Sequence, residues 1–345
     1  MKHFVLRRLA VVFVGTFLVA CSGGANPTLR PATDGGASAR QAATGLPKGA
    51  LYVGAGFGEH SRVNVYANAP TGGWTPIAKI TDHIESPASM AIAKDELYVA
   101  DLYANAVSIY NLAHGGIYVG SLTDDISRPI AVTADDAGDV AVVNSREEKG
   151  NLVGVVTVYP LGSPFPYVIR KGMNEPKAVA FDKSRNLYVA NLGDDTVKVY
   201  APGGDTIVKS ISEGVSLPTA LAFHGGLLFV ANAGGYNVTG YAPNSRNLIL
   251  VVPTGDLAPS ALAIGDDRMY IGAFSYTHSE VIDYDFFTQH KTKITEGVRS
   301  PKGLAVCAVG EVCVQNDRNV TVYQSDKLIQ TIREPASPHS IIVDR

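Results

Sequence analysis

The side chains with the widest chemical scope in this sequence are few and scattered. His60, His278 and His339 could in principle hold a metal, but their spacing matches no ligand motif. His339, Lys302, Lys177 and Glu175 could serve a hydrolase or lyase, with or without a divalent ion. No G-x-S-x-G elbow, zinc-protease helix motif or phosphate-cradling loop occurs, and Gly225-Gly226 and Gly234-Gly235 fit hairpin turns. Aromatic and basic residues are more plentiful in turn segments: Phe57, Tyr103, Tyr236, Phe274 and Tyr276, with His60, Arg62, Arg146 and His278 beside them. Such aromatics suit stacking on sugar rings or docking peptide side chains, and the basic groups suit a carboxylate or anionic sugar. The chain is expected to carry no catalytic residue, no metal and no cofactor. Its candidate ligand set is Phe57, Tyr103, Arg128, Glu175, Lys177, Tyr236, Tyr276, Arg299, Lys302 and His339.

The scaffold that must position these residues is large and apolar. The chain has 345 residues, 46% hydrophobic and 18% charged, with 35 Gly and 19 Pro. That is too apolar for disorder and too poor in charge for coiled coils or helix bundles. The formal charge of −3 becomes −6 without Lys2, Arg7 and Arg8 of the leader, so no cationic field exists to gather phosphates, and nucleic acid is excluded as a partner.

A repeat organises the rest. A proline followed by small and apolar residues recurs at Pro87, Pro129, Pro176, Pro218, Pro259, Pro301 and Pro338, at intervals of 42, 47, 42, 41, 42 and 37. A β-rich tetrad such as Leu97-Tyr98-Val99-Ala100 or Leu187-Tyr188-Val189-Ala190 follows, then a strand ending in Tyr66, Tyr110, Tyr159, Tyr200, Tyr241, Tyr284 or Tyr323, then a fourth strand. Four short strands make one propeller blade. The first unit lacks a proline strand and the last proline strand has no unit after it, so the two fragments complete each other. The sequence predicts an all-β fold: a seven-bladed propeller of four-stranded antiparallel blades over residues 49–345, closed by the C-terminal strand in the N-terminal blade.

Within the proline strands, the second and fourth residues past each proline are mostly small, as in Ala178 and Ala180, while Met90, Val179, Leu221, Leu262, Leu304 and Ile341 between them are large. Period-2 alternation predicts bulk between blades and a small, inert wall along the central channel. The residues ending the second strands (Ala55, Asp101, Asn144, Asn191, Asn232, Ala273 and Asn316) are mainly Asp or Asn, either turn caps or a ring for calcium or a polar ligand. Cys307 and Cys313 flank a turn in the seventh blade; a three-residue turn near Gly310 sets them opposite each other as a possible disulfide, and a two-residue turn offsets them. Trp74 reads as packing in the first blade.

The unit Pro176 to Asp182, then Leu187 to Tyr200, resembles the YVTN-type and NHL-type repeat propellers, a resemblance that spans nearly all of the chain from about Ala50. It implies an extracytoplasmic propeller with a ligand face; the family includes lyases, lactonase-like hydrolases and non-catalytic binding proteins. Residues 1–20 begin with Lys2, Arg7 and Arg8 and run apolar from Leu9, as a secretory signal does. Leu18-Val19-Ala20-Cys21 resembles the lipobox of bacterial lipoproteins, which implies lipidation of Cys21 and a membrane anchor. Residues 21–48 read as a flexible tether of Gly, Ala, Ser, Thr and Pro. Together these predict a monomeric cell-envelope lipoprotein, extracytoplasmic and at the outer membrane if the host has one. Its propeller is expected to bind peptide, protein or glycan without catalysis; the alternative is an envelope hydrolase or lyase of the lactonase-like kind.

Overall fold

The computed structural model describes residues 45–344, apart from 70–71, 149–150, 266, 309 and 335. The leader and Cys21 lie outside the described residues, as does most of the tether. Seven four-stranded antiparallel sheets are formed. Blade 1 combines Pro338–Val343 as its inner strand with Leu51–Ala55, Arg62–Asn68 and Trp74–Ile80; blades 2 to 7 follow in order from the inner strands Pro87–Ala93, Pro129–Ala134, Pro176–Phe181, Pro218–His224, Ala258–Ile264 and Gly303–Ala308. The only helical elements among the described residues are the single 3-10 turns Gly58–His60 and Leu112–His114.

Each tetrad becomes the second strand of its sheet, where neighbouring blades cover both faces, so it must be apolar throughout rather than alternating. Leu97, Tyr98, Val99 and Ala100 are all essentially buried, as are Leu228 to Ala231. The outer strands meet water on one face and alternate, as in Lys327–Arg333. The recurrent tyrosine ends the third strand because its hydroxyl staples the chain entering the blade. Tyr110 donates to the Asp82 carbonyl at 2.5 Å, Tyr200 to Lys171 at 2.6 Å, Tyr241 to Glu213 at 2.6 Å and Tyr323 to Glu296 at 2.5 Å. In blade 1 the acceptor is instead the carboxylate of Glu334, 2.6 Å from Tyr66.

Closure follows the predicted pairing, with Leu51 opposite Val343, Tyr52 opposite Ile342 and Val53 opposite Ile341. Gly54 stands opposite Ser340, and a Cβ there would collide with the serine Oγ, which donates to the Pro87 carbonyl of blade 2. Trp74, on the outermost strand of blade 1, is 3% exposed and joins that blade to blade 7: its Nε1 donates to Glu311 at 3.2 Å. Cys307 and Cys313 are joined as a disulfide with Cα atoms 5.9 Å apart. The expected three-residue turn is not what aligns them. Ala308 pairs with Glu311 and Ala305 with Cys313, and a register shift between Val306 and Ala308 brings Cys307 into reach.

Candidate ligand-binding faces

Antiparallel pairing sets the start of every inner strand beside the end of the second strand, as with Pro87 and Asp101. One end of the propeller therefore collects the turns between second and third strands together with the segments entering each blade. Phe57, Tyr103, Tyr236 and Tyr276 occupy those turns in blades 1, 2, 5 and 6 and are 52%, 57%, 47% and 93% exposed. Arg128, Glu175 and Arg299, which precede inner strands, are also exposed there. The entering segments are pinned from the neighbouring blade: Asn105 accepts from the Arg128 amide and Asp195 from the Leu217 amide, both at 2.7 Å. Phe57 packs edge-on against His339 with ring centroids 4.2 Å apart and lies 6.2 Å from Tyr103.

The small residues of the inner strands do not line an open channel. Ala131, Ala178, Ala220 and Ala261 are fully buried, as are Met90 and Val179 between them, so both sets are sealed against neighbouring blades. The channel mouth is decided by a shift that period-2 reading does not see. In blades 1 to 6 the register slips just after the proline, leaving His339, Ala88, Ile130, Lys177, Thr219 and Ser260 without a partner across the ladder. The corresponding residue of blade 7 is Lys302. The hydroxyls in this ring turn to the next blade, Thr219 to the Pro259 carbonyl at 2.9 Å and Ser260 to the Pro301 carbonyl at 2.5 Å.

Lys302 pairs with Asp317 at 2.9 Å. Burial, and secondarily the charge of Lys302, lower the His339 pKa to about 4, and its Nε2 is sheltered without a partner. Its ordinary value is 6.5, so between about 4 and 6.5 the unfolded chain takes up a proton that the native state refuses. Stability contributed by neutral His339 is thus present above that window and is lost as pH falls through it. Urea unfolding at pH 7 and pH 4.5 should show a loss in the parent that exceeds the loss in His339→Gln by on the order of 1 to 2 kcal/mol; equal losses would remove this account of His339.

Several other expected groups have structural work. Arg62 is buried, donates to the His60 carbonyl at 2.7 Å and lies 4.0 Å from Glu334, so it belongs to the blade 1 interior rather than to the ligand face. His278 sits 3.2 Å from Glu280 on blade 6, away from His60 and His339 on blade 1, and among the described residues no three metal-ligating side chains cluster. Glu175 and Lys177 stay on blade 4, apart in the ring from His339 and Lys302. Phe274 is part of the blade 6 sheet, opposite Ala258 and Ser279. The Asp and Asn ring is fully committed internally: Asn144, Asn191, Asn232 and Asn316 each accept from a backbone amide of the segment entering their own blade, at 2.8 to 3.2 Å.

The opposite end, made of the turns between inner and second strands, holds a cavity that the proline-face reading missed. It occupies about 450 Å³ at blades 3 to 6, within the usual range of small-molecule sites. Its apolar wall includes Phe181, Tyr188, Phe223 and Leu262. Arg185 reaches across from blade 4 to Asp135 at 3.0 Å and to Asp139, so charged pairs do exist at this mouth of the channel. The signal was available in the sixth residue past the prolines, where Asp135, Asp182 and His224 interrupt the apolar run.

No protein-family model matches the chain, and no curated protein sequence does. Solved structures match across most of it. A Lactobacillus plantarum protein is 16% identical with a TM-score of 0.68, covering 85% of this chain and 98% of its own. A provisionally named 6-phosphogluconolactonase of Bacteroides fragilis is 15% identical with a TM-score of 0.66, covering 85% and 96%. Streptogramin B lyase is 14% identical with a TM-score of 0.60, covering 74% and 86%. The likeness is one of fold. At these identities it carries no activity to the chain.

Proposed function

We propose that this chain is a lipid-anchored propeller of the bacterial cell envelope, tethered through Cys21, that binds a polypeptide or glycan on the face bearing Phe57, Tyr103, Tyr236 and Tyr276. The observation that carries the reading is the convergence of these half- to fully exposed rings on one end of a rigid scaffold, where the cost of holding them in place is already met by the fold. The YVTN-like and NHL-like repeat and the lipobox-like Leu18 to Cys21 supply the envelope setting. Where the tether joins supports the same reading. The Leu46 amide donates to the Leu112 carbonyl at 2.8 Å, and Gly49 to the Asp344 carbonyl at 2.5 Å, both at the end opposite the aromatic face. An anchored propeller can therefore present its aromatics away from the membrane.

The lactonase-like alternative would rest on His339 beside Lys302, but an imidazole with its pKa lowered to about 4 is a weak general base. Peptide and glycan arrays probed with the chain, and the hits titrated calorimetrically, test the proposal. Alanine at Phe57, Tyr103, Tyr236 and Tyr276 together should weaken a hit at least about tenfold, since exposed aromatic anchors carry much of such binding energy. Undiminished binding by that variant, or lactone or ester turnover abolished by His339→Ala, would overturn it. Mass spectrometry of the chain from membranes should show a lipid adduct that Cys21→Ala loses.

A further inference from the structure

We propose that the cavity at the tether end of blades 3 to 6 is a second binding site, for a small organic cation with an aromatic or branched aliphatic body. Three features point to it. The space, about 450 Å³, suits a molecule of a dozen or so heavy atoms with room for its first waters. Its bed is aromatic: Tyr188 and Phe223 meet edge to face with centroids 4.9 Å apart, and Phe181 lies on the same wall. Ring faces attract a cation and repel an anion.

The charges around the cavity agree. Of the residues that line it, Asp135, Asp136 and Asp182 outnumber Lys183 and Arg185, and Arg185 is already claimed by Asp135 and by Asp139 behind it. The oxygens of Asp182 are taken by the Ser184 and Asn186 amides and the Asn186 side chain. Asp136 differs. It lines the cavity, and its Oδ1 is sheltered from solvent with no donor in reach. A carboxylate oxygen removed from water and left without a donor is unfavourable; an ammonium group lodged over the aromatic bed would supply the missing donor after a small rotation of the side chain. Lys183 at the rim is exposed and free to swing outward.

This site lies at the end of the propeller away from Phe57, Tyr103, Tyr236 and Tyr276, so the two proposals fail separately. Calorimetry with three matched probes, 2-phenylethylamine, 2-phenylethanol and 3-phenylpropionate, tests it on the purified chain. The amine should bind, the alcohol should bind at least about tenfold more weakly, and the carboxylate should not bind. Asp136→Asn should weaken the amine about tenfold while leaving the urea midpoint unchanged, and Phe223→Leu should weaken amine and alcohol together. Alanine at Tyr103 and Tyr236 should leave amine binding as it was. No amine binding, equal binding of amine and carboxylate, or an amine affinity indifferent to Asp136→Asn would each overturn the proposal.

Discussion

Replacing Asp101 with alanine is expected to destabilise the propeller by about 3 to 5 kcal/mol, read from urea unfolding followed by circular dichroism. Asp101 is fully buried at the end of the second strand of blade 2. Its carboxylate accepts from the amides of Glu85, Ser86 and Ala104, tying the chain that enters the blade to the turn that leaves the second strand. Alanine leaves those donors sheltered from water with nothing to bond. Asparagine is the informative control, because blades 3, 4, 5 and 7 use it at the equivalent place. In blades 3, 5 and 7 its Nδ2 finds a third-strand hydroxyl, Asn144 with Thr157, Asn232 with Thr239 and Asn316 with Thr321, each at 2.9 Å, whereas in blade 4 Asn191 donates to the Gly172 carbonyl. Blade 2 has Ser108 in that register, so Asp101→Asn should cost only about 1 kcal/mol. If alanine and asparagine cost the same, the carboxylate staple is not what holds the entering chain.

The second large effect concerns closure. A chain ending at Arg333 loses Pro338–Val343, and with it the burial of Ile341, Ile342 and Val343, each less than 5% exposed. At about 1.5 to 3 kcal/mol per buried aliphatic side chain the loss approaches the whole stability of an ordinary domain. It also leaves the inner edge of Leu51–Ala55 unpaired. Such a chain should lack a cooperative unfolding transition and elute as large assemblies in size-exclusion chromatography. A circular permutant that joins residue 344 to residue 50 and opens the chain between blades 7 and 1 should restore a monomer, because Val343 and Leu51 are already paired neighbours. A truncated chain that still unfolds cooperatively as a monomer would mean that the ring does not depend on this strand.

Those two expectations also show where sequence reading succeeds. Proline, tetrad and tyrosine landmarks repeat because the blades solve the same problem: an inner edge at the axis, a doubly covered second strand and, in blades 1 to 5 and 7, a hydroxyl to pin the incoming chain. The incomplete first and last units could be joined on paper, since strand pairing is a matter of count and order. The exposed aromatics at Phe57, Tyr103, Tyr236 and Tyr276 were legible too, because their turns all fall at one end once the strand order is known. Arg62 was not, because an arginine in a turn and an arginine capping Glu334 inside a blade look the same until the partner is in view.

What the amino-acid sequence determined by itself is the repeating part: seven antiparallel sheets, their order, and the strand that closes the ring. Only the tertiary structure decided which residues face open space. A one-residue shift after the proline moved His339 and Thr219 out of the ladder while Ala178 and Ala220 were sealed between blades. The cavity of Phe181, Tyr188, Phe223 and Asp136 was likewise beyond the repeat, because it gathers non-repeating side chains from several blades. Periodicity reports what neighbouring units share, whereas a binding site is built from what they do not.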